Sequence, residues 1–186
     1  MTEAPLKVPR WPTSELDVSI KQGTDTLLDQ VAVLATRTVT GLAIWASPSV
    51  TPEATGRLLV ALNNLEDVPL NGANAISETT LAALHGCSQL DTLELKDTRP
   101  LTDIPALTQS EVAAVSRMAV TCRKLKTLFL TSSLENCKGV LTALHETDLG
   151  CDGGQSRIIR FAVPESVYDN LTKPPNGSKI SLSYFT

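Results

Sequence analysis

Aromatic side chains are scarce: three Phe, two Tyr and two Trp make up 4% of the 186 residues. An aromatic that reaches the surface therefore stands out as a candidate contact residue, because interface energy concentrates in aromatics and Arg. Long apolar runs are missing too. No stretch approaches the roughly 20 residues that a membrane helix needs, so no membrane partner is expected. Positive charge is sparse and scattered, with 16 Lys and Arg against 20 Asp and Glu and a net charge of −4. No Lys/Arg block exceeds two or three residues in a short window, so the footprint of a nucleic-acid binder is lacking. A local basic patch can still assemble in three dimensions. The opening "MTEAPLKVPRWPT" has Pro5, Pro9 and Pro12 but no apolar h-region, and it lacks the Arg-rich, acid-poor character of a transit peptide. With no leader, four cysteines are expected to be reduced thiols rather than disulfides. The expected location is intracellular, with the cytoplasm as the default and mitochondrial or nuclear addresses left open. Two N-x-[ST] sequons, at Asn170 and Asn176, are near chance frequency.

What the chain does have is a recurring skeleton. "GCSQLDTLEL" from Gly86 and "TCRKLKTLFL" from Thr121 both reduce to C-x-x-L-x-x-L-x-L, with Cys87 and Cys122 in the same slot. Its core, L-x-x-L-x-L, returns as Val39-Leu42-Ile44, Leu65-Val68-Leu70, Leu90-Leu93-Leu95, Leu125-Leu128-Leu130 and Ile158-Phe161-Val163. The apolar alternation at the end of each copy predicts a strand with one buried face. Between the strands, Thr51 before Glu53, Ser77 before Glu78, Ser110 before Glu111 and Ser133 before Glu135 predict helix starts. In each, a hydroxyl caps the first turn and a carboxylate complements its positive end. An earlier helix is expected from about Asp25. From helix start to the next strand motif the distance is 13 to 15 residues in the first four units. Constant spacing on that scale marks a true repeat. "ELDVSI" and "KISLSYF" alternate as well and predict an atypical strand at each end. Seven strands at ~4.8 Å spacing would span roughly 29 Å.

These residues resemble a leucine-rich repeat protein of the helix-containing, ribonuclease-inhibitor-like or cysteine-containing type. The resemblance covers about residues 16–185 and implies an α/β solenoid: a parallel sheet of about seven short strands on a concave face, with helices on the convex face. The bend slot, usually Asn or Cys in such repeats, holds Ser47, Ala73, Thr98 and Ser133, with Asn74 beside Ala73. The expected organisation is a Pro-rich tail over residues 1–14 and a repeat domain over residues 15–186. Two longer segments, 97–109 and 147–156, read as insertions.

Residues between the leucines should point to the open face of the sheet. The candidate partner-binding set there is Trp45, Asp67, Asn71, Glu94, Lys96, Phe129 and Arg160. The segment around Arg99, Leu101 and Asp103 is either a projecting rim loop or a locally packed turn over a sheet edge. Trp45 and Phe129 are weighed equally between partner contact and packing within the chain. No catalytic set is expected. His85 with Cys87, and Cys137 with His145, lack the convergent spacing of a metal site, so no metal and no cofactor are expected. "GCDGGQS" precedes a strand rather than a helix and reads as a flexible insertion, not a phosphate loop. The functional expectation is a non-enzymatic protein-interaction module or a subunit of a multi-subunit assembly, with another protein as partner. Alternatives are a substrate receptor of a ubiquitin ligase, a thiol enzyme or regulator using Cys137, Cys151 or His145, and a secreted protein glycosylated at Asn170 or Asn176.

Overall fold

The structure, a computed structural model, describes residues 16–34, 39–46, 48–152 and 155–186. The Pro-rich segment and Ser47 lie outside the described residues. In chain order the elements are β1 (Leu16–Gly23), α1 (Asp25–Leu34), β2 (Val39–Ala46), α2 (Pro52–Ala61), β3 (Asp67–Asn71) and α3 (Glu78–Ala83). A 3-10 turn over Leu84–Gly86 leads to β4 (Thr92–Lys96), α4 (Gln109–Thr121), β5 (Thr127–Thr131) and α5 (Leu134–Glu146). The chain ends with β6 (Cys151–Asp152), β7 (Gln155–Ser156), β8 (Ile159–Pro164), α6 (Glu165–Tyr168) and β9 (Ile180–Phe185).

Among the described residues seven strands form one open sheet in the order β1-β2-β3-β4-β5-β8-β9, every neighbour parallel. The strands lie in the order in which the chain makes them, and the register follows the leucines. Leu93 pairs with Val68 and Leu128, Leu95 pairs with Leu70 and Leu130, and Phe161 continues the row from Leu128. The β6–β7 pair is a separate antiparallel pair of short strands between α5 and β8.

The leucine face is buried against the helices. Val68, Leu70, Leu93, Leu95, Leu128 and Leu130 belong to one apolar cluster with Leu58, Leu81, Val115, Met118, Val140 and Leu144 from the helices. The helices lie side by side in chain order, α1 against α2 and so on to α5. Their starts are fixed by side chains. The Thr51, Ser77 and Ser133 hydroxyls accept from the backbone N–H three residues on, satisfying donors that a helix start leaves open. For α4 the expected cap at Ser110 is incorrect. Thr108 is the cap and forms a capping box with Glu111, which satisfies two backbone donors where a Ser110 start would satisfy one. The Ser110 hydroxyl instead donates to Glu78 of the preceding helix. Asp25 makes a similar stitch, accepting from both the backbone N–H and the hydroxyl of Thr51 at 2.8 Å.

The shared cysteine slot has a structural meaning. Leu62, Cys87 and Cys122 each close a helical segment. The Cys87 thiol donates to the Leu62 carbonyl and the Cys122 thiol to the Leu84 carbonyl, so each unit ties its turn to the one before. The fifth copy departs from expectation. Ile158 is 58% exposed, whereas Leu65, Leu90 and Leu125 are at most 1% exposed. Arg157 turns inward in its place, and its guanidinium donates to the carbonyls of Cys122, Leu125 and Leu149. Those acceptors make burial of the cation tolerable, and side chains alternate from there, with Arg157, Ile159 and Phe161 inside and Ile158 and Arg160 outside.

Candidate functional site

Open parallel sheets with helices usually bind ligands where the strand order reverses and neighbouring connections part. Here the order never reverses, so that crevice does not form. The broad candidate surface is the sheet face away from the helices. Its residues follow the register in three rows across the strands: Gly41, Asp67, Thr92, Thr127 and Arg160 first; Glu94, Phe129 and Ala162 in the middle; and Trp45, Asn71, Lys96 and Thr131 last.

These rows bring the expected contact residues onto one surface but give them unequal access. Trp45 is 42% exposed, between Lys21 and Asn71 in the register. Asp67 and Lys96 are exposed, and Glu94 is half-buried one row from Lys96. Asn71 is buried, so its place between Trp45 and Lys96 leaves it supporting these neighbours rather than reaching outward. Phe129 packs edge to face on Phe185, with ring centroids 5.6 Å apart, which is the arrangement aromatic quadrupoles favour. Ala162, expected on the open face, is fully buried: it pairs with Phe129 in β5 and with Ser183 in β9, two residues before Phe185. Arg160 is exposed, and its Nε donates to the Ser183 hydroxyl at 2.9 Å. Phe185 is not among the sequence candidates. Its alternation within "KISLSYF" places it in phase with this face, but only the β8–β9 register shows that it reaches Phe129.

The segment after β4 is packed at its base. Asp97 is buried and accepts from the Arg99 backbone N–H and guanidinium, while Arg99 also donates to the Ala73 carbonyl at 3.2 Å. Ile104 is buried. Asn136 of α5 accepts from the Leu107 N–H at 2.8 Å and donates to the Pro105 carbonyl at 2.9 Å. The tip, Leu101 to Asp103, is exposed, as are Thr98, Pro100, Pro105 and Ala106 around it. A hydrogen-bonded base thus underlies an exposed tip. Asn74 bonds the Val50 carbonyl at 2.9 Å, supplying the bend contact that Ala73 cannot make.

Burial raises the Cys87 thiol to about 11 and the Cys122 and Cys137 thiols to about 12, keeping them protonated and unreactive at neutral pH. Cys151 is exposed. His85 and His145 are exposed, and the His145 Nδ1 lies 3.3 Å from the Ser178 hydroxyl. Among the described residues no three His, Cys, Asp or Glu side chains converge as metal ligands, and no helix is long and apolar enough to cross a membrane. Asn170 and Asn176 are both exposed. No protein-family profile, curated protein or solved structure matches this chain.

Proposed function

We propose that the chain is a non-enzymatic protein-interaction module of the leucine-rich repeat type, a short solenoid that docks a partner protein on its open sheet face and on the Leu101 rim tip. The observation that carries this reading is the continuous in-register face on which Trp45, Asp67, Glu94 and Lys96 stand accessible together on neighbouring strands. A rigid sheet holds such side chains at fixed separation, which lowers the entropy lost on association. Trp45 offers the aromatic anchor, and the alternating charges of Asp67, Glu94 and Lys96 supply orientation. The raised thiol pKa values at Cys87, Cys122 and Cys137 support a packing role for these residues.

Affinity capture from native extract, followed by mass spectrometry, tests the reading. The Trp45→Ala, Lys96→Glu double variant should melt close to the parent chain and lose a specific protein that the parent retains. Identical partners for both proteins would remove the sheet face as the docking surface.

A further inference from the structure

The end of the sheet where strands begin carries a charge pattern that the overall composition hides. In a chain of net charge −4, Arg123, Lys124 and Lys126 fall together at the turn from α4 into β5. They line one groove with Arg157, Ser156 and Ile158, of cavity volume about 760 Å³, and no carboxylate is among its lining residues. Lys126 is held by an ion pair with Asp91, and the Lys124 Nζ donates to Gln89, so both cations are already localised along the wall. A second, independent feature sits on the floor. Ile158, the aliphatic residue that the unit turns outward when Arg157 turns in, is bare at this point. The β6–β7 pair, the extra segment of this unit, runs directly into the groove through Ser156.

The flanks limit what can lie there. Backbone bonds join Lys126 to Asp91 and Asp91 to Glu66 along the same rim, so carboxylates follow the cations on that side. On the other side α5 ends at Glu146, and Asp148 beyond it pairs with Lys179. Asp91 and Asp148 are each paired with a lysine, but a long polyanion crossing the groove would run onto the exposed Glu66 and Glu146 beyond them, whereas a short anionic segment would not.

We infer that this groove docks a short acidic peptide segment of a partner protein, with carboxylates meeting Arg123 and Lys124 and an aliphatic side chain seated on Ile158. The site is separate from the sheet face, and its test uses different residues, so either reading can fail alone.

The test uses the full chain and a fluorescein-labelled peptide alternating glutamate with leucine, followed by fluorescence anisotropy. The comparison ligands are lysine-for-glutamate and serine-for-leucine peptides, oligothymidylate, and phosphatidylglycerol vesicles. The glutamate–leucine peptide should bind with an affinity that falls as salt rises, while the lysine peptide should not bind. Reversing two rim charges in Arg123→Glu, Lys124→Glu should weaken binding by about tenfold or more. Ile158→Ser and the serine peptide should each weaken it several-fold, and Lys138→Glu, a charge reversal on the exposed side of α5, should leave it unchanged. All these positions are exposed, so the variants should keep the parent melting temperature. Equal binding by the charge-reversed variant or by the lysine peptide would overturn the proposal. Tighter binding of oligothymidylate or vesicles than of the peptide would overturn it too, reassigning the groove to a polyanion.

Discussion

At the turn into β5, Leu125 is driven fully inside and the Cys122 thiol reaches the Leu84 carbonyl. At the turn into β8, Ile158 stays in solvent and a guanidinium goes inside, fastened to the carbonyls of Cys122, Leu125 and Leu149. The two strands nevertheless pair in register, Leu128 beside Phe161. The first turn buries hydrocarbon at the position where the second exposes it. The second is held by directed bonds, which need the right donors and leave a penalty when those donors go. Neighbouring strands can thus share a sheet while their turns respond oppositely to the same kind of substitution.

Removing the hydrocarbon should have the largest effect. Leu125→Ala strips most of a buried side chain, and the expected loss is about 2–5 kcal/mol. Against a typical total of about 5–15 kcal/mol this is a large fraction, visible as a lower urea midpoint. An unchanged midpoint would mean that Leu125 is not a core residue and would break the comparison.

The complementary change is Arg157→Leu, which installs the side-chain type that the earlier units use. If burial alone governed both turns it would stabilise the protein. Because it takes the guanidinium donors from the Leu125 and Leu149 carbonyls, the expected result is a loss of about 1–3 kcal/mol despite the added apolar surface. Arg157→Lys should fall between parent and Leu, since an ammonium keeps the charge but not the planar fork. A Leu variant more stable than the parent would erase the distinction between the turns.

The same contrast marks what can be read in the residues. Strands β2 to β5 and the helices between them follow from leucine spacing and capping hydroxyls because both signals are local. The α4 start is legible yet easily misread: Thr108 and Glu111 have the three-residue spacing of a capping box, but the adjacent Ser110–Glu111 pair gives a competing signal. Arg157 is not legible. Its burial depends on carbonyls 32 and 35 residues earlier, and a pattern of apolar letters naturally selects Ile158. Of the candidate surface, Trp45, Asp67, Glu94 and Lys96 follow from alternation alone. Asn71 and Ala162 do not, because their burial is set by neighbours across strands, and neither does Phe129, whose partner is 56 residues away.

The thiol that serves the β5 turn makes a further difference measurable by pH. Below about pH 9 the thiols are protonated in both folded and unfolded chains and contribute no pH dependence. Above it the unfolded thiols ionise, while burial holds Cys87 protonated to about 11 and Cys122 to about 12, so stability falls as pH rises through that window. Each thiol should contribute a loss of at most about 1.4 kcal/mol per pH unit. Urea midpoints measured from pH 8 upward should decline less steeply in Cys122→Ala than in the parent. Parallel slopes for parent and variant would show that Cys122 is not shielded.

The smallest expected effect separates the two edges of the sheet. At one edge, β9 pairs with β8 without a break from Ile159–Ile180 to Pro164–Phe185. At the other, the register of β1 on β2 shifts between Lys21 and Gly23, and the residue between them, Gln22, has φ of 55°. A left-handed conformation costs an ordinary residue roughly 1–2 kcal/mol, while glycine gives back about 0.5–1 kcal/mol through its freer unfolded chain. Gln22 is exposed, so no packing is lost with its side chain. Gln22→Gly should therefore stabilise by up to about 1 kcal/mol, and Gln22→Val, whose branched Cβ tolerates this region least, should destabilise. The pair of urea midpoints separates the cases: Gly above the parent and Val below it locates strain at the β1 edge, whereas Val at or above the parent would mean that β1 runs as regularly as β9.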